Sequence, residues 1–225
     1  MASSNLPHGP SAAYRRLFVA MTNAISEGDL TAATRSGKAA LKIAVDQHWL
    51  PMQVVVFQAL GIAYLADQKP QDALDFHRQA VAVAQQAEAE EDPAGPKLVV
   101  QTRLSGAAVL FGERKYKEAG AIYEDVAPRA EELDELIVAM ECWRMAAYCR
   151  EQTGFYDKAW EFGCQALNVG EKLEEDIRTH STLPYAGQAL LDLTKRHDYA
   201  PLAKTIRKRM ADLCGPDWEE ALDNK

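Results

Sequence analysis

The chain has 225 residues, of which 48% are hydrophobic and 26% are charged, and its formal net charge at pH 7 is −8. This length allows one large domain or two small ones, with a sizeable core in either case. The acidic balance argues against nucleic-acid binding, which needs an excess of lysine and arginine. No stretch approaches the roughly eighteen apolar residues of a membrane-spanning helix, and residues 1–10 do not resemble a secretion signal.

Helical periodicity divides the chain into consecutive pairs of helices. After a flexible tail at 1–10, four pairs are predicted at 11–26 and 29–48, 51–66 and 70–91, 97–112 and 115–133, and 136–152 and 155–176. A fifth, degenerate pair is expected at 184–196 and 200–213, and a capping turn with a tail at 214–225. The sequence therefore predicts an all-α protein whose single domain covers 11–213.

Small residues recur at matching positions of these pairs, which indicates a stacked repeat. An alanine near the start of each second helix follows a turn position by five residues. The alanines are Ala33, Ala73, Ala119 and Ala159, at intervals of 40 to 46 residues, and the turn positions are Gly28, Gln68, Arg114 and Gly154. In the third pair the glycine itself is displaced to Gly112.

The second pair carries the clearest motif. Phe57, Leu60, Gly61 and Tyr64, followed by Ala73, resemble the pattern W-x-x-L-G-x-x-Y…A of the tetratricopeptide repeat (TPR) family, with Phe in place of Trp. The resemblance implies a right-handed α-solenoid of four TPR-like helix hairpins and a degenerate fifth pair. The period is nearer 40 than the usual 34 residues, and such long helices look like the variant in kinesin light chains and several bacterial regulators.

The same resemblance gives the small residues a physical role. Two antiparallel helices approach closely only where facing side chains are small, and Gly61 and Ala73 are expected to be those positions. Phe57 and Tyr64 should then fill the volume on either side. His77 stands at an aromatic position of the motif, and we expect it to be a partly buried core residue.

No sequence motif predicts an enzyme. H-E-x-x-H, G-x-S-x-G, the P-loop and G-x-G-x-x-G are all absent from the sequence. The four cysteines form no C-x-x-C pair, and we interpret them as reduced core residues of a cytoplasmic protein. We therefore predict no catalytic residue, no metal site and no cofactor. The cysteines are Cys142, Cys149, Cys164 and Cys214.

In a TPR solenoid the first helix of each pair lines a concave groove, where ligands usually bind. The resemblance thus implies a groove lined by Phe18, Ile25, Val55, Gln58, Ile62, Leu65, Leu104, Phe111, Arg144 and Tyr148. The positions that would grip the acidic tail of a heat-shock chaperone hold no cation, which excludes that ligand. An apolar groove of this kind either holds an amphipathic helix or apolar peptide of a partner, or is closed by the protein's own C-terminal helices or by inter-helix packing.

Charge placement suggests a second surface. Acidic clusters at 88–93, 131–135 and 171–176 lie near helix ends and would form an acidic edge if the pairs stack. Glu131, Glu132 and Asp134 are candidates for docking a basic partner, the alternative being a solvated edge. The basic stretch 204–210 could contact the acidic edge of a second copy or anionic lipid, or form a solvated face.

The sequence as a whole predicts a non-catalytic protein-interaction module. It would be a cytoplasmic adaptor or chaperone, including the bacterial secretion type, that holds an apolar or helical segment of a protein or peptide partner. Alternatives are a peptide-sensing regulator of an enzyme or transcription factor, or a structural subunit of a larger assembly. No nucleic acid and no transmembrane segment is expected, and self-association is left open.

Overall fold

The structure is a computed structural model that describes residues 11–196, 202–219 and 222, with Thr179 and His180 described by their backbone alone. The predicted tail at 1–10 lies outside these residues. Within the described residues every regular element is a helix, so the all-α prediction is confirmed. The eleven α-helices there are Ala12–Ser26 (α1), Leu30–Asp46 (α2), Leu50–Ala66 (α3), Pro70–Ala89 (α4), Gly95–Gly112 (α5), Tyr116–Glu132 (α6), Leu136–Gln152 (α7), Tyr156–Gly170 (α8), Glu175–His180 (α9), Leu183–Arg196 (α10) and Ala203–Cys214 (α11).

The chain forms two compact units, Met1–Val109 and Leu110–Lys225, which divide within α5. In the first unit α1 packs on α2, α2 on α3 and α3 on α4. In the second unit α6 packs on α7, α7 on α8, α8 on α10 and α10 on α11. We refer to α1, α3, α5, α7 and α10 as first helices, because each opens one of the predicted pairs.

Close packing in the first unit depends on glycines that receive large side chains. Gly37 of α2 lies so near Leu60 of α3 and Met21 of α1 that a Cβ atom on Gly37 would stand 2.9 Å from each side chain. Leu60 and Met21 are both fully buried. The leucine of the L-G motif therefore joins the first hairpin to the second, because glycine leaves room for it.

In the second unit, glycines also receive large side chains from neighbouring helices. Gly163 of α8 faces Leu190 of α10, and Gly187 of α10 faces Met210 of α11. Leu190 and Met210 are fully buried or nearly so. An ion pair adds to the contact between α6 and α7, where Arg150 donates hydrogen bonds of 2.5 and 2.8 Å to Glu124.

Each predicted intra-pair turn contains a residue in the left-handed region. Its φ is +75° at Gly28, +59° at Gln68, +58° at Arg114 and +81° at Gly154. The next amide closes the helix end with a bond to the carbonyl five residues earlier, as Lys69 N–H does with Tyr64 at 2.9 Å. Gly112 is not the turn residue of the third pair; it is the last residue of α5, and Arg114 turns the chain.

These turns predict a gain in stability from glycine. A side chain in the left-handed region costs about 1–2 kcal/mol, so Gln68→Gly and Arg114→Gly should each stabilise the protein by about 1 kcal/mol. Gly154→Ala should destabilise it by a similar amount. The urea midpoint followed by far-UV circular dichroism measures both effects, and an unchanged midpoint in the two glycine variants would contradict this account of the turns.

The prediction of one helix over 155–176 was wrong at its end. Helix α8 stops at Gly170, and the short helix α9 begins only at Glu175. Gly170 is a poor helix former, and the fully buried Leu183 lies directly against it. The break after Gly170 thus lets the start of α10 pack against the end of α8.

Candidate functional site

The large apolar side chains exposed in the first unit are Val19 of α1, Val45 of α2, and Ile62 and Leu65, which both lie on the last turns of α3. Ile62 is 58% exposed and Leu65 is 41% exposed. They are three residues apart and so lie on one face of the helix. Val55, an earlier predicted groove residue on α3, is half-buried, as is Leu104 of α5. Among the groove residues predicted in this unit, Ile62 and Leu65 therefore offer the most apolar surface to a partner.

Two other predicted groove residues belong mainly to the core. Phe18 and Ile25 of α1 are half-buried and pack against the cluster around Met21 and Leu60. The ring of Phe18 also stacks on Tyr14, with the ring centroids 6.0 Å apart. Phe18 thus supports the first helices more than it lines a free surface, whereas Ile25 also lines the pocket described below.

Gln58 links two first helices of the same unit. Its side-chain amide donates a hydrogen bond to the hydroxyl of Ser105 on α5, with a distance of 3.3 Å. Ser105 in turn donates to the backbone carbonyl of Gln101 at 3.0 Å. The predicted binding residue Gln58 thus holds α3 against α5, which the sequence pattern does not show.

A pocket lies between the turn that joins α1 to α2 and the end of α3. Its cavity volume is about 80 Å³. It borders the exposed α3 surface, because Ala66 in its wall is four residues from Ile62 and on the same helix face. The lining residues are Ile25, Gly28, Leu30, Ala63, Ala66 and Asp67.

In the second unit the predicted groove residues Phe111 and Tyr148 form an aromatic cluster with Tyr116. The centroid distances are 5.4 Å for Phe111 to Tyr116, 5.4 Å for Phe111 to Tyr148 and 5.9 Å for Tyr116 to Tyr148. Tyr148 remains 39% exposed. The rings touch one another, so the cluster presents an aromatic surface and does not form a cage around a ligand.

Arg144, also predicted to line the groove, is engaged within its own helix. Its guanidinium donates to both carboxylate oxygens of Glu141, at 2.8 and 2.5 Å. These hydrogen bonds raise the pKa of Arg144 above its usual value. A partner carboxylate would have to compete with Glu141 for this cation.

The predicted acidic edge is partly neutralised within the chain. Glu131 accepts hydrogen bonds from Trp143 at 2.9 Å and Lys172 at 2.8 Å. Burial tends to raise the pKa of Glu131, but these two hydrogen bonds outweigh burial and hold it below its usual value. Glu132 pairs with Arg129 at 3.0 Å, and Asp134 is an exposed turn residue with a φ of +58°. Glu131 thus has a structural role, which leaves Glu132 and Asp134 as the surface members of the predicted docking edge.

Arginines of the basic helix α11 also form ion pairs with acidic residues of the same unit. Arg209 contacts Glu171 at 2.6 Å, and Arg207 contacts Glu219 at 3.2 Å. Trp218, just beyond the helix, is only 3% exposed. Part of the basic stretch 204–210 therefore secures the C-terminal helix to α8 and to the turn that follows α11.

Three further observations bear on chemistry. Burial raises the pKa of the Cys142 and Cys149 thiols to about 12, which disfavours a reactive thiolate. Among the described residues no group of histidine, cysteine and carboxylate side chains is placed to hold a metal ion. No helix of the described ranges has both the length and the apolar character needed to cross a membrane.

Similarity to solved structures identifies the fold of the chain. No protein-family model and no characterised protein matches the sequence. The structure is similar to the apo form of RapI, with a TM-score of 0.73, 14% identity and coverage of 89% of this chain and 53% of RapI. It also resembles TPR-like repeats of a putative kinesin light chain from Podosopora anserina, with a TM-score of 0.63, 16% identity and coverage of 90% and 98%. The chain has a TPR-like fold.

A further TPR-like neighbour is aspartyl phosphate phosphatase F from Bacillus subtilis. Its TM-score is 0.65 at 15% identity, with 94% of this chain and 52% of that protein covered. The chain therefore spans about half the length of RapI and of phosphatase F. At sequence identities this low, the structural similarity establishes the TPR-like fold and nothing about activity.

Within the TPR-like hairpin α3–α4, the side chain that meets Gly61 is His77. A Cβ atom on Gly61 would lie 2.8 Å from His77 Nε2. His77 is only 3% exposed, and Ala73, one turn earlier on α4, is fully buried. Both small residues of the motif are thus in the interior as predicted, but a histidine ring fills the hollow at Gly61. Sequence reasoning placed His77 in the core and missed this contact.

The buried ring of His77 predicts a pH effect on stability. Burial lowers the pKa of His77 below 6.5, and its Nδ1 has no hydrogen-bond partner. The unfolded chain then binds the proton more tightly, so stability is lost as the pH falls below 6.5, by up to about 1.4 kcal/mol per pH unit. Urea unfolding at a series of pH values measures this slope. His77→Met should flatten it between pH 6.5 and the lowered pKa.

Proposed function

We propose that this protein is a non-catalytic interaction module, an adaptor or chaperone that holds an apolar segment of a partner protein on its first helices. The observation that carries the proposal is the pair Ile62 and Leu65, which are 58% and 41% exposed at the end of α3. Both belong to a helix whose opposite face is packed in the core. Large aliphatic side chains held side by side in water by a rigid helix are typical of an interaction surface.

A second exposed surface, which is aromatic and lies in the other unit, also supports the proposal. Tyr148 of α7 is 39% exposed beside Phe111 and Tyr116. In this unit α10 packs on α8 and α7, and α11 packs on α10 and α9. These C-terminal helices leave Tyr148 accessible, which favours a partner segment over closure by the protein's own end.

The proposal predicts that one charge on α3 will prevent partner binding. Ile62→Asp places a carboxylate where an apolar side chain should dock, and we expect at least about a tenfold loss of captured partner. Val45→Asp is the matched control, because Val45 is 48% exposed on the second helix α2. Tagged variants expressed in the source cells, followed by quantitative mass spectrometry of the bound proteins, give the measurement.

The comparison of the two variants decides the outcome. A protein retained by wild type and Val45→Asp but lost from Ile62→Asp supports the proposal, and a chaperone should also keep that protein from aggregating. Equal retention by both variants would contradict it. Circular dichroism of each variant checks that the fold is kept, as expected for two exposed positions.

A further inference from the structure

We propose that the pocket at the end of α3 receives one apolar side chain of the partner segment, and that Asp67 pairs with a lysine or arginine next to that side chain. This inference rests on the proposed function and specifies the partner's chemistry. The pocket is lined by apolar residues and by Asp67, whose side chain is 44% exposed. Such a site selects a sequence in which an apolar residue and a cation are close together.

The size of the pocket favours a single side chain. Its cavity volume of about 80 Å³ is far below the 300–1,000 Å³ typical of small-molecule sites. Gly28 in its wall has a φ of +75°, and a Cβ atom there would meet no other atom within 4 Å. The turn between α1 and α2 thus places no side chain at position 28 of the pocket wall.

The pocket is continuous with the proposed binding surface. Ala63 and Ala66 line it, and Ile62 and Leu65 lie on the same two turns of α3. The small alanines leave a hollow directly beside the large exposed side chains. A segment that lies on Ile62 and Leu65 can therefore place one of its own side chains in the pocket without leaving the helix surface.

The two turns that border the pocket carry more carboxylates than cations, although Asp29 also caps α2 by accepting a hydrogen bond from the Ala32 amide. These turns, at 27–29 and 67–69, contain Glu27, Asp29, Asp67 and Lys69. Lys69 contacts Asp67 at 2.7 Å, but the two side chains are 50% and 44% exposed. An exposed pair of this kind contributes little to stability, so a partner's cation can replace Lys69 at a small cost. The excess of carboxylates attracts a basic segment.

Two synthetic peptides test the inference on the full chain. The fluorescein-labelled peptides GSKLLKLSG and GSELLELSG carry the same leucines and opposite charges. Fluorescence anisotropy at low ionic strength gives their affinities. We expect the lysine peptide to bind at least about tenfold more tightly than the glutamate peptide, with a difference that shrinks as salt is added.

Three variants locate the binding. Asp67→Asn should weaken the lysine peptide about two- to fivefold and leave the glutamate peptide unchanged. Ala66→Leu, at an exposed alanine that lines the pocket, should fill the hollow and weaken the lysine peptide at least about tenfold. Val45→Asp should change neither affinity.

The outcomes separate this inference from the proposed function. Three outcomes overturn the inference. The two peptides bind equally, neither peptide binds, or Asp67→Asn and Ala66→Leu leave the affinity of the lysine peptide unchanged. If both peptides bind equally and Ile62→Asp abolishes the binding, the proposed function stands without a basic partner. Loss of captured partner in the Ile62→Asp cells is measured independently of these peptides and judges the function itself.

Discussion

Replacing Gly95 with alanine should lower the free energy of unfolding by about 3 kcal/mol, the upper part of the range for overpacking. Gly95 is buried at the start of α5, and a Cβ atom there would lie 2.5 Å from the backbone nitrogen of Glu88 and 2.6 Å from its Cα. These atoms belong to the last turn of α4, which cannot move aside as a flexible side chain would. Urea unfolding followed by far-UV circular dichroism measures the loss.

Gly112→Ala is the matched control for this prediction. Gly112 ends the same helix, and a Cβ atom there would meet nothing within 4 Å. Alanine is the better helix former, so this variant should equal or exceed the wild type in stability by up to about 1 kcal/mol. Equal losses from both variants would show that the close approach of α5 to α4 does not determine the effect.

Leu60→Ala should destabilise the protein by about 3 kcal/mol. Leu60 is fully buried and enters the hollow at Gly37, so its truncation removes apolar contacts and leaves a cavity between α2 and α3. Gly37→Ala alone should also destabilise, by about 1–2 kcal/mol, because its new methyl group would clash with Leu60 and Met21.

The double variant tests the contact between Leu60 and Gly37 directly. In the Leu60→Ala background the methyl group of Gly37→Ala no longer clashes with the side chain at position 60, so only the contact with Met21 remains. Alanine also favours the helix by about 1 kcal/mol. The destabilisation by Gly37→Ala should therefore be smaller in this background than in the wild type. A double-mutant cycle from urea unfolding gives the coupling energy, and simple addition of the two losses would contradict the contact between Leu60 and Gly37.

The hairpin arrangement could be predicted from the sequence because it rests on local and repeated signals. The L-G motif in α3 places Leu60 and Gly61 in the interior, and the structure has both there. The turn positions in each pair were predictable even where Gln68 or Arg114 replaces glycine, because the neighbouring helical patterns determine where the chain must reverse. The break of α8 at Gly170 was missed, since it depends on Leu183 at the start of α10.

The candidate site was predicted less well, because a side chain at a helix surface can contact any of several neighbouring side chains. Ile62 and Leu65 are exposed, but Gln58 bonds to Ser105 and Arg144 bonds to Glu141. No sequence spacing shows which partner a long polar side chain will find. The pocket beside Asp67 was also missed, since it forms between α3 and a turn from the preceding hairpin.

Photo-crosslinking tests the central claim most directly. A benzophenone amino acid at position 62, on the proposed binding face of α3, should attach covalently to a partner protein in the source cells. The same group at position 45 on α2, where Val45 is 48% exposed, should not capture that partner. Mass spectrometry of the product from position 62 should identify an apolar segment at the attachment point. Identical products from both positions, or attachment to a polar segment, would contradict the account.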